Sequence, residues 1–159
     1  MVEVLTIGAY GWNAATFFDA LVSERVGILC DVRRRRGVRG AEYSFVNSVR
    51  LQAQLGQLGV GYRHRLDLAP SAAVRRAQYV VDESMGIAKR DRTRLGPAFQ
   101  AAYVRECLAE FDAAGFLAEL GIAGPICLFC VEREPAACHR SLLAEMLAQS
   151  GAAVRHLVP

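Results

Sequence analysis

The sequence has no apolar run approaching the ~20 residues that a membrane-spanning helix needs, and only 5 of its 159 residues are proline. No membrane partner is expected on that ground, and with 53% hydrophobic and 22% charged residues the chain falls outside the disordered and collagen-like classes. Residues 1–10 carry neither the basic head nor the small-residue cleavage site of a secretory signal, so a cytoplasmic location is expected. Lysine is nearly missing. Of the 19 basic side chains 18 are arginine and one is Lys89, which favours forked contacts to phosphate or carboxylate oxygens. Alanine (25 residues) and glycine (14) are also abundant, so a GC-rich coding composition accounts for part of the arginine excess. A net charge of +3 is too mild to imply nucleic acid by itself. Five cysteines, an odd number without an export signal, read as reduced thiols with no structural disulfide.

What is present is an alternation of short β-branched runs and amphipathic stretches. Val2–Ile7, Val26–Val32, Val60–Leu66, Pro125–Val131 and Val154–Val158 read as strands. Helices are expected after Asn13 as N-cap, over Val46–Leu58, from Ser71 to Ser84, from Pro97 onward as the longest, and around Leu142–Leu147. In the helix after Pro97, Phe99, Tyr103, Cys107 and Phe111 form a stripe at i, i+4 spacing, and Gly115 and Gly121 mark its end. The expected architecture is a single α/β domain over residues 1–159, a three-layer α/β/α sandwich with a mostly parallel sheet of about five strands. Ligands of such sheets bind beyond the carboxyl ends of the strands. Attention therefore falls on Tyr10, on Asp31 and Arg33, on His64, and on Cys130 to Arg140.

The last of these segments carries the most chemistry. Cys138 stands where a helix begins, and free N–H groups and the helix dipole there attract anions and depress a thiol pKa. His139 can serve as acid or base, Arg140 as a bidentate donor to an oxyanion, and Glu132 as an orienting carboxylate. The same residues also allow a structural account, with Glu132 and Arg140 as an ion pair and Cys138 as a small buried cap. A Cys-x5-Arg phosphatase loop is absent, because Ala136 occupies the arginine position after Cys130. No metal centre and no cofactor are expected, since Cys127 and Cys130, three apart on a strand, point to opposite faces. The run Arg33–Arg39 leaves nucleic acid as a second class of partner beside an anionic small molecule or nucleotide. Nothing in the pattern fixes the oligomeric state.

Several of these pieces together resemble one family. Thr6-Ile7-Gly8, Asp31-Val32-Arg33, Gly59 with Tyr62-x-His64, and above all Cys130-x-Glu132-x-x-Pro135-x-x-Cys138-His139-Arg140 are similar to the family called domain of unknown function 488. The chain departs from that pattern at Ala9-Tyr10, Arg36, Val38 and Leu68-Ala69-Pro70. The resemblance implies an α/β fold and a site at the strand-to-helix junction, and supplies no substrate. The resulting expectation is an anion site at the carboxyl edge of the sheet. Cys138, His139 and Glu132 are its candidate catalytic groups, and Arg140, Arg33, Asp31, Cys130, Tyr10 and His64 its candidate binding groups.

Overall fold

The computed structural model describes residues 1–159. Five strands, β1 (Glu3–Gly8), β2 (Ile28–Asp31), β3 (Gly61–His64), β4 (Ile126–Cys130) and β5 (Ala153–Leu157), form one sheet in the order β3-β2-β4-β1-β5. Every pairing in it is parallel. The helices are α1 (Ala14–Ser23), α2 (Ser48–Gln57), α3 (Ala72–Ser84), α4 (Pro97–Tyr103), α5 (Ala113–Leu120) and α6 (His139–Gln149). They flank the sheet as an α/β sandwich. Phe17 of α1 meets Phe129 of β4 edge to face at 5.5 Å, while α6 packs on β1, β4 and β5 and carries α4 and α5 beside it. No helix is long and apolar enough to cross a membrane.

Local chemistry accounts for most element ends. Asn13 and Thr16 form a reciprocal capping box at the start of α1, and Ser71 accepts from the Val74 N–H to open α3. The sequence expects one long helix after Pro97, but the chain breaks there. α4 ends at Tyr103, Val104–Leu108 winds as a π turn, and Asp112 then caps α5 by accepting from the Gly115 N–H at 2.9 Å. Gly115 therefore sits inside a new helix rather than at the end of an old one, and a Cβ there would lie 2.2 Å from the Asp112 carboxylate. An aspartate that competes for backbone N–H groups interrupts a pattern that apolar spacing alone would continue.

β4 lies at the centre of the sheet with all five residues buried. Its neighbours are β2, with Asp31 opposite Phe129, and β1, with Gly8 opposite Cys130. The pairing runs on past the strand ends, where Ala9 and Tyr10 donate to the carbonyls of Cys130 and Val131 and Val32 donates to that of Phe129. Three loops thus leave the sheet side by side. Gly8 permits the tightest approach, since a Cβ at that position would stand 1.8 Å from the Glu132 carbonyl oxygen.

Candidate functional site

The loop after β2 is held by a carboxylate. Asp31 is fully buried and accepts from Arg33 Nε at 2.9 Å, Arg33 Nη2 at 2.8 Å, the Arg33 backbone N–H at 3.1 Å and the Tyr62 hydroxyl at 2.8 Å. Those four donors compensate the burial of the charge. The guanidinium also lies 4.5 Å over the Phe129 ring, and Nη1 is left without a partner. His64 Nε2 is 2.8 Å from the Arg33 carbonyl oxygen, which ties the end of β3 to the same loop.

The loop after β4 delivers the thiols. Pro135–Ala137 makes a short 3₁₀ turn, and Cys138 follows in extended conformation as the N-cap of α6. The sulfurs of Cys130 and Cys138 and a ring nitrogen of His139 all lie within 4.8 Å of one another, with Cys138 Sγ 3.8 Å from His139 Nδ1. His139 Nε2 is 2.9 Å from the Val32 carbonyl oxygen, so it carries a proton and Nδ1 faces the sulfurs. Burial alone would push the Cys138 thiol up. The neighbouring Cys130 thiol and the positive charges of His139 and Arg140 overcome it and hold Cys138 well below the ordinary thiol range. Cys130, beside that sulfur and itself buried, is pushed well up. For His139 burial favours the neutral ring, but the Cys138 thiolate outweighs it and the pKa rises. Both shifts favour the charged forms, a thiolate at Cys138 and an imidazolium at His139. The remaining cysteines differ. Burial raises Cys30 and Cys107 to about 12 and lifts Cys127 as well.

These groups open onto a cavity of about 460 Å³ between the strand ends and the segment from α3 to α4. Eight cationic side chains line it, namely Arg33, Arg34, Arg35, Arg39, Arg75, Lys89, Arg90 and Arg92, against the single carboxylate of Glu132. Glu132 is 6% exposed; Oε1 is 3.5 Å from Lys89 Nζ and 3.7 Å from Arg92 Nη1, while Oε2 has no partner. Burial, followed by the Cys138 charge, raises its pKa despite Lys89 and His139. Tyr10 forms a further wall, packed edge-on to Tyr43 at 5.2 Å, with the Arg90 guanidinium 5.2 Å over its ring.

Among the residues expected from sequence, Cys130, Glu132, Cys138, His139, Arg33 and Tyr10 meet at this cavity. Arg140, Asp31 and His64 do not line it. Arg140 is fully buried, and its fork is turned away onto protein acceptors: Nη1 donates to the Glu132 carbonyl at 2.7 Å, Nη2 to that of Arg133 at 3.2 Å and Nε to Thr6 Oγ1 at 3.3 Å. Asp31 lies beneath Arg33 and His64 beneath its carbonyl, so both support the wall from behind. Cys127 is fully buried in the core and is no part of the thiol cluster. Cys138 and His139 nevertheless give Cys130 two other neighbours with donor atoms suited to a thiophilic cation.

Sequence reasoning missed the opposite wall. Arg75, Gln78 and Tyr79 of α3 and Lys89, Arg90 and Arg92 of the following loop complete the cavity. A buried polar ladder holds that loop in place. Gln78 Nε2 donates to Asp82 Oδ1 at 2.7 Å, Arg92 Nε donates to Asp82 Oδ2 at 2.9 Å, and the Gly96 N–H donates to Gln78 Oε1 at 2.8 Å. The available signal was the i, i+4 polar pair Gln78 and Asp82 beside the apolar stripe Val74, Ala77 and Val81 of the helix expected from Ser71 to Ser84, and the only lysine of the chain within the charged segment Gly86–Gly96.

Fold and site together define a parallel α/β protein with a low-pKa thiol at the floor of a cationic cavity beyond the strand ends. The chain belongs to the family described as domain of unknown function DUF488, whose model matches residues 13–147. No curated protein matches the chain, and no solved structure does.

Proposed function

We propose that the cavity binds a phosphorylated, nucleotide-like or comparably anionic small molecule, on which the protein acts as a thiol-dependent enzyme. One observation carries the reading. Four buried side-chain polar atoms of the chain lack a hydrogen-bond partner, and three of them, Arg33 Nη1, Arg75 Nε and Glu132 Oε2, belong to residues lining this one cavity. A buried donor without a partner costs ~1 to 3 kcal/mol, more when charged, and an anion accepting from both arginines would remove that cost. The excess of cations over carboxylates favours a doubly charged group such as a phosphate monoester over a lone carboxylate.

In this reading Cys138 is the nucleophile. Its thiolate attacks the electrophilic atom next to the anchored anionic group, the bond to the leaving group breaks, and the leaving group takes the proton of Glu132. Burial raises the pKa of Glu132, which moves its carboxyl towards the range of a general acid. His139 keeps the thiolate charged before attack, and the Cys130 thiol lies beside it. Asp31 positions Arg33, and Arg140 positions the carbonyls of the loop.

Thermal denaturation with inorganic phosphate, nucleoside monophosphates and the corresponding neutral nucleosides tests the binding. A ligand at a hundred times its Kd adds ~2.7 kcal/mol of stability, so anionic compounds are expected to raise the Tm and neutral ones to leave it unchanged. Equal behaviour of the two sets would overturn the anion reading. Alkylation by iodoacetamide tests the thiol. The rate at Cys138 is expected to stay nearly flat between about pH 6 and 8, whereas an ordinary thiol of pKa ~8.5 slows about tenfold per unit. A second reading, a nucleic-acid-binding module without catalysis, is favoured by the solvent exposure of Arg34, Arg35, Arg36 and Arg39, three of which stand at the rim of the cavity. Tight binding of RNA or DNA that weakens steeply with salt, together with an unreactive Cys138, would favour the module.

A further inference from the structure

Cys130 and Cys138 form a pair whose chemistry goes beyond holding a nucleophile. Both sulfurs line the cavity, at no more than 4.8 Å from each other, and they come from opposite ends of one short loop. The loop between them contains Pro135–Ala137 as a single 3₁₀ turn, and Cys138 is its last residue before α6. The other three cysteines take no part. Cys30 and Cys127 are sealed in the core, and Cys107 reaches the surface beside Glu106, whose carboxylate discourages a thiolate.

We propose that Cys138 and Cys130 are a reversible oxidation site for hydroperoxides, Cys138 as the thiol that is attacked first and Cys130 as the thiol that resolves it. The proposal rests on the closeness of the two sulfurs at the cavity, shares Cys138 with the function described above, and takes nothing from the arginine wall. In the first step Cys138 Sγ attacks one peroxide oxygen, the O–O bond breaks, and the leaving hydroxide or alkoxide takes a proton from the His139 imidazolium. Cys138 becomes a sulfenic acid and the peroxide is reduced to water or alcohol. In the second step the Cys130 sulfur attacks the Cys138 sulfur, the S–O bond breaks, and water leaves with the Cys130 proton. The two sulfurs together lose two electrons and the peroxide gains them. The product is a Cys130–Cys138 disulfide, which an external dithiol reverses by exchange. Closing it removes the thiolate from the cavity floor, so the same step that protects Cys138 from irreversible oxidation switches off its nucleophilic role.

The test uses the full chain, reduced and treated with a chelator, then exposed to hydrogen peroxide at neutral pH, blocked with iodoacetamide and digested for mass spectrometry. The expected result is a Cys130–Cys138 cross-linked peptide that dithiothreitol reverses, with Cys30, Cys107 and Cys127 recovered as alkylated thiols. Oxidation at Cys138 is expected to exceed that at Cys107 by about tenfold or more, as a thiolate outruns a thiol. In Cys130→Ser the reaction stops at a Cys138 sulfenic acid that dimedone traps, which keeps the test informative even if Cys138→Ser does not fold. Oxidation spread evenly over the five cysteines, or a wild-type protein that gives no cross-link while Cys130→Ser gives no sulfenic acid, would overturn the proposal. So would a thiophilic metal that resists the chelator and shields both sulfurs. Loss of phosphate binding with the cross-link intact would count against the anion reading alone.

Discussion

The loops after β2 and after β4 each bury an arginine, and the two are used differently. Arg140 is 0% exposed and all three of its side-chain nitrogens reach protein acceptors, two of them backbone carbonyls of the loop before it. Arg33 is 2% exposed, its Nε and Nη2 are engaged by Asp31, and Nη1 remains open on a residue that lines the cavity. Burial, charge and position beyond a parallel strand are shared, so none of them distinguishes a binding residue from a structural one. The count of unmatched donors differs. Every nitrogen of Arg140 is engaged within the fold, and under the proposed function the unmatched nitrogen of Arg33 is the capacity left for a ligand.

Replacing Arg140 by Lys is the sharpest way to break this comparison and carries the largest expected effect. The charge survives, but one ammonium cannot reach two carbonyls and Thr6 at once. With charge-assisted bonds worth ~1.5 to 3 kcal/mol each, a loss of about 3 kcal/mol of stability is expected in chemical denaturation. The surviving folded fraction is expected to bind phosphate nearly as well as wild type. A variant of unchanged stability but lost phosphate affinity would restore the role that the Cys-His-Arg motif suggests for Arg140 and reverse the assignment.

Arg75→Met tests the other side with a smaller effect on folding. Arg75 Nε is buried on a residue lining the cavity and has no partner to lose. Methionine keeps most of the apolar stem, so stability is expected to stay within ~0.5 kcal/mol. Phosphate affinity, read by thermal shift or calorimetry, is expected to fall about tenfold or more as one charge-assisted bond disappears. A drop in stability without a drop in affinity would place Arg75 among the structural arginines.

The same contrast marks what the sequence made legible. The inner strands β1, β2 and β4 could be read from their near-continuous apolar runs, and the edge strand β3 from the alternation of its residues with arginine, with periodic helices between them. The approach of Arg33 to Cys138 and His139 was expected only on the condition that β2 and β4 are neighbours, which the runs alone do not fix; the structure pairs them, and parallel neighbours send their loops the same way. The direction of Arg140 could not be anticipated. It depends on two carbonyls brought within reach by the close approach of Gly8 to Glu132, a fact of backbone packing that side-chain identity does not encode. The wall from Arg75 to Arg92 was illegible for a related reason. Its residues lie in a helix read with an inward stripe of Val74, Ala77 and Val81 and in the charged linker after it, and the buried Gln78–Asp82–Arg92 ladder holds that linker against the helix.

The smallest expected effect belongs to the rim, and it separates a general field from a specific contact. Arg35 and Arg39 line the mouth of the cavity but are exposed to solvent. A charge in water near a bound anion contributes through a screened potential with a Debye length of ~10 Å at 0.1 M salt, so each is worth well under ~1 kcal/mol. Arg35→Ala and Arg39→Ala are therefore expected to leave the Tm of the free protein unchanged and to weaken phosphate binding by about two- to threefold at low salt. That difference is expected to vanish as ionic strength rises, because only the rim term is screened. The loss on Arg75→Met is expected to persist at high salt, since the bond it removes lies inside the cavity. If the rim variants instead lost tenfold at every salt concentration, the anion would be sitting at the mouth and not over the thiols, and Cys138 would be too far away to act on it.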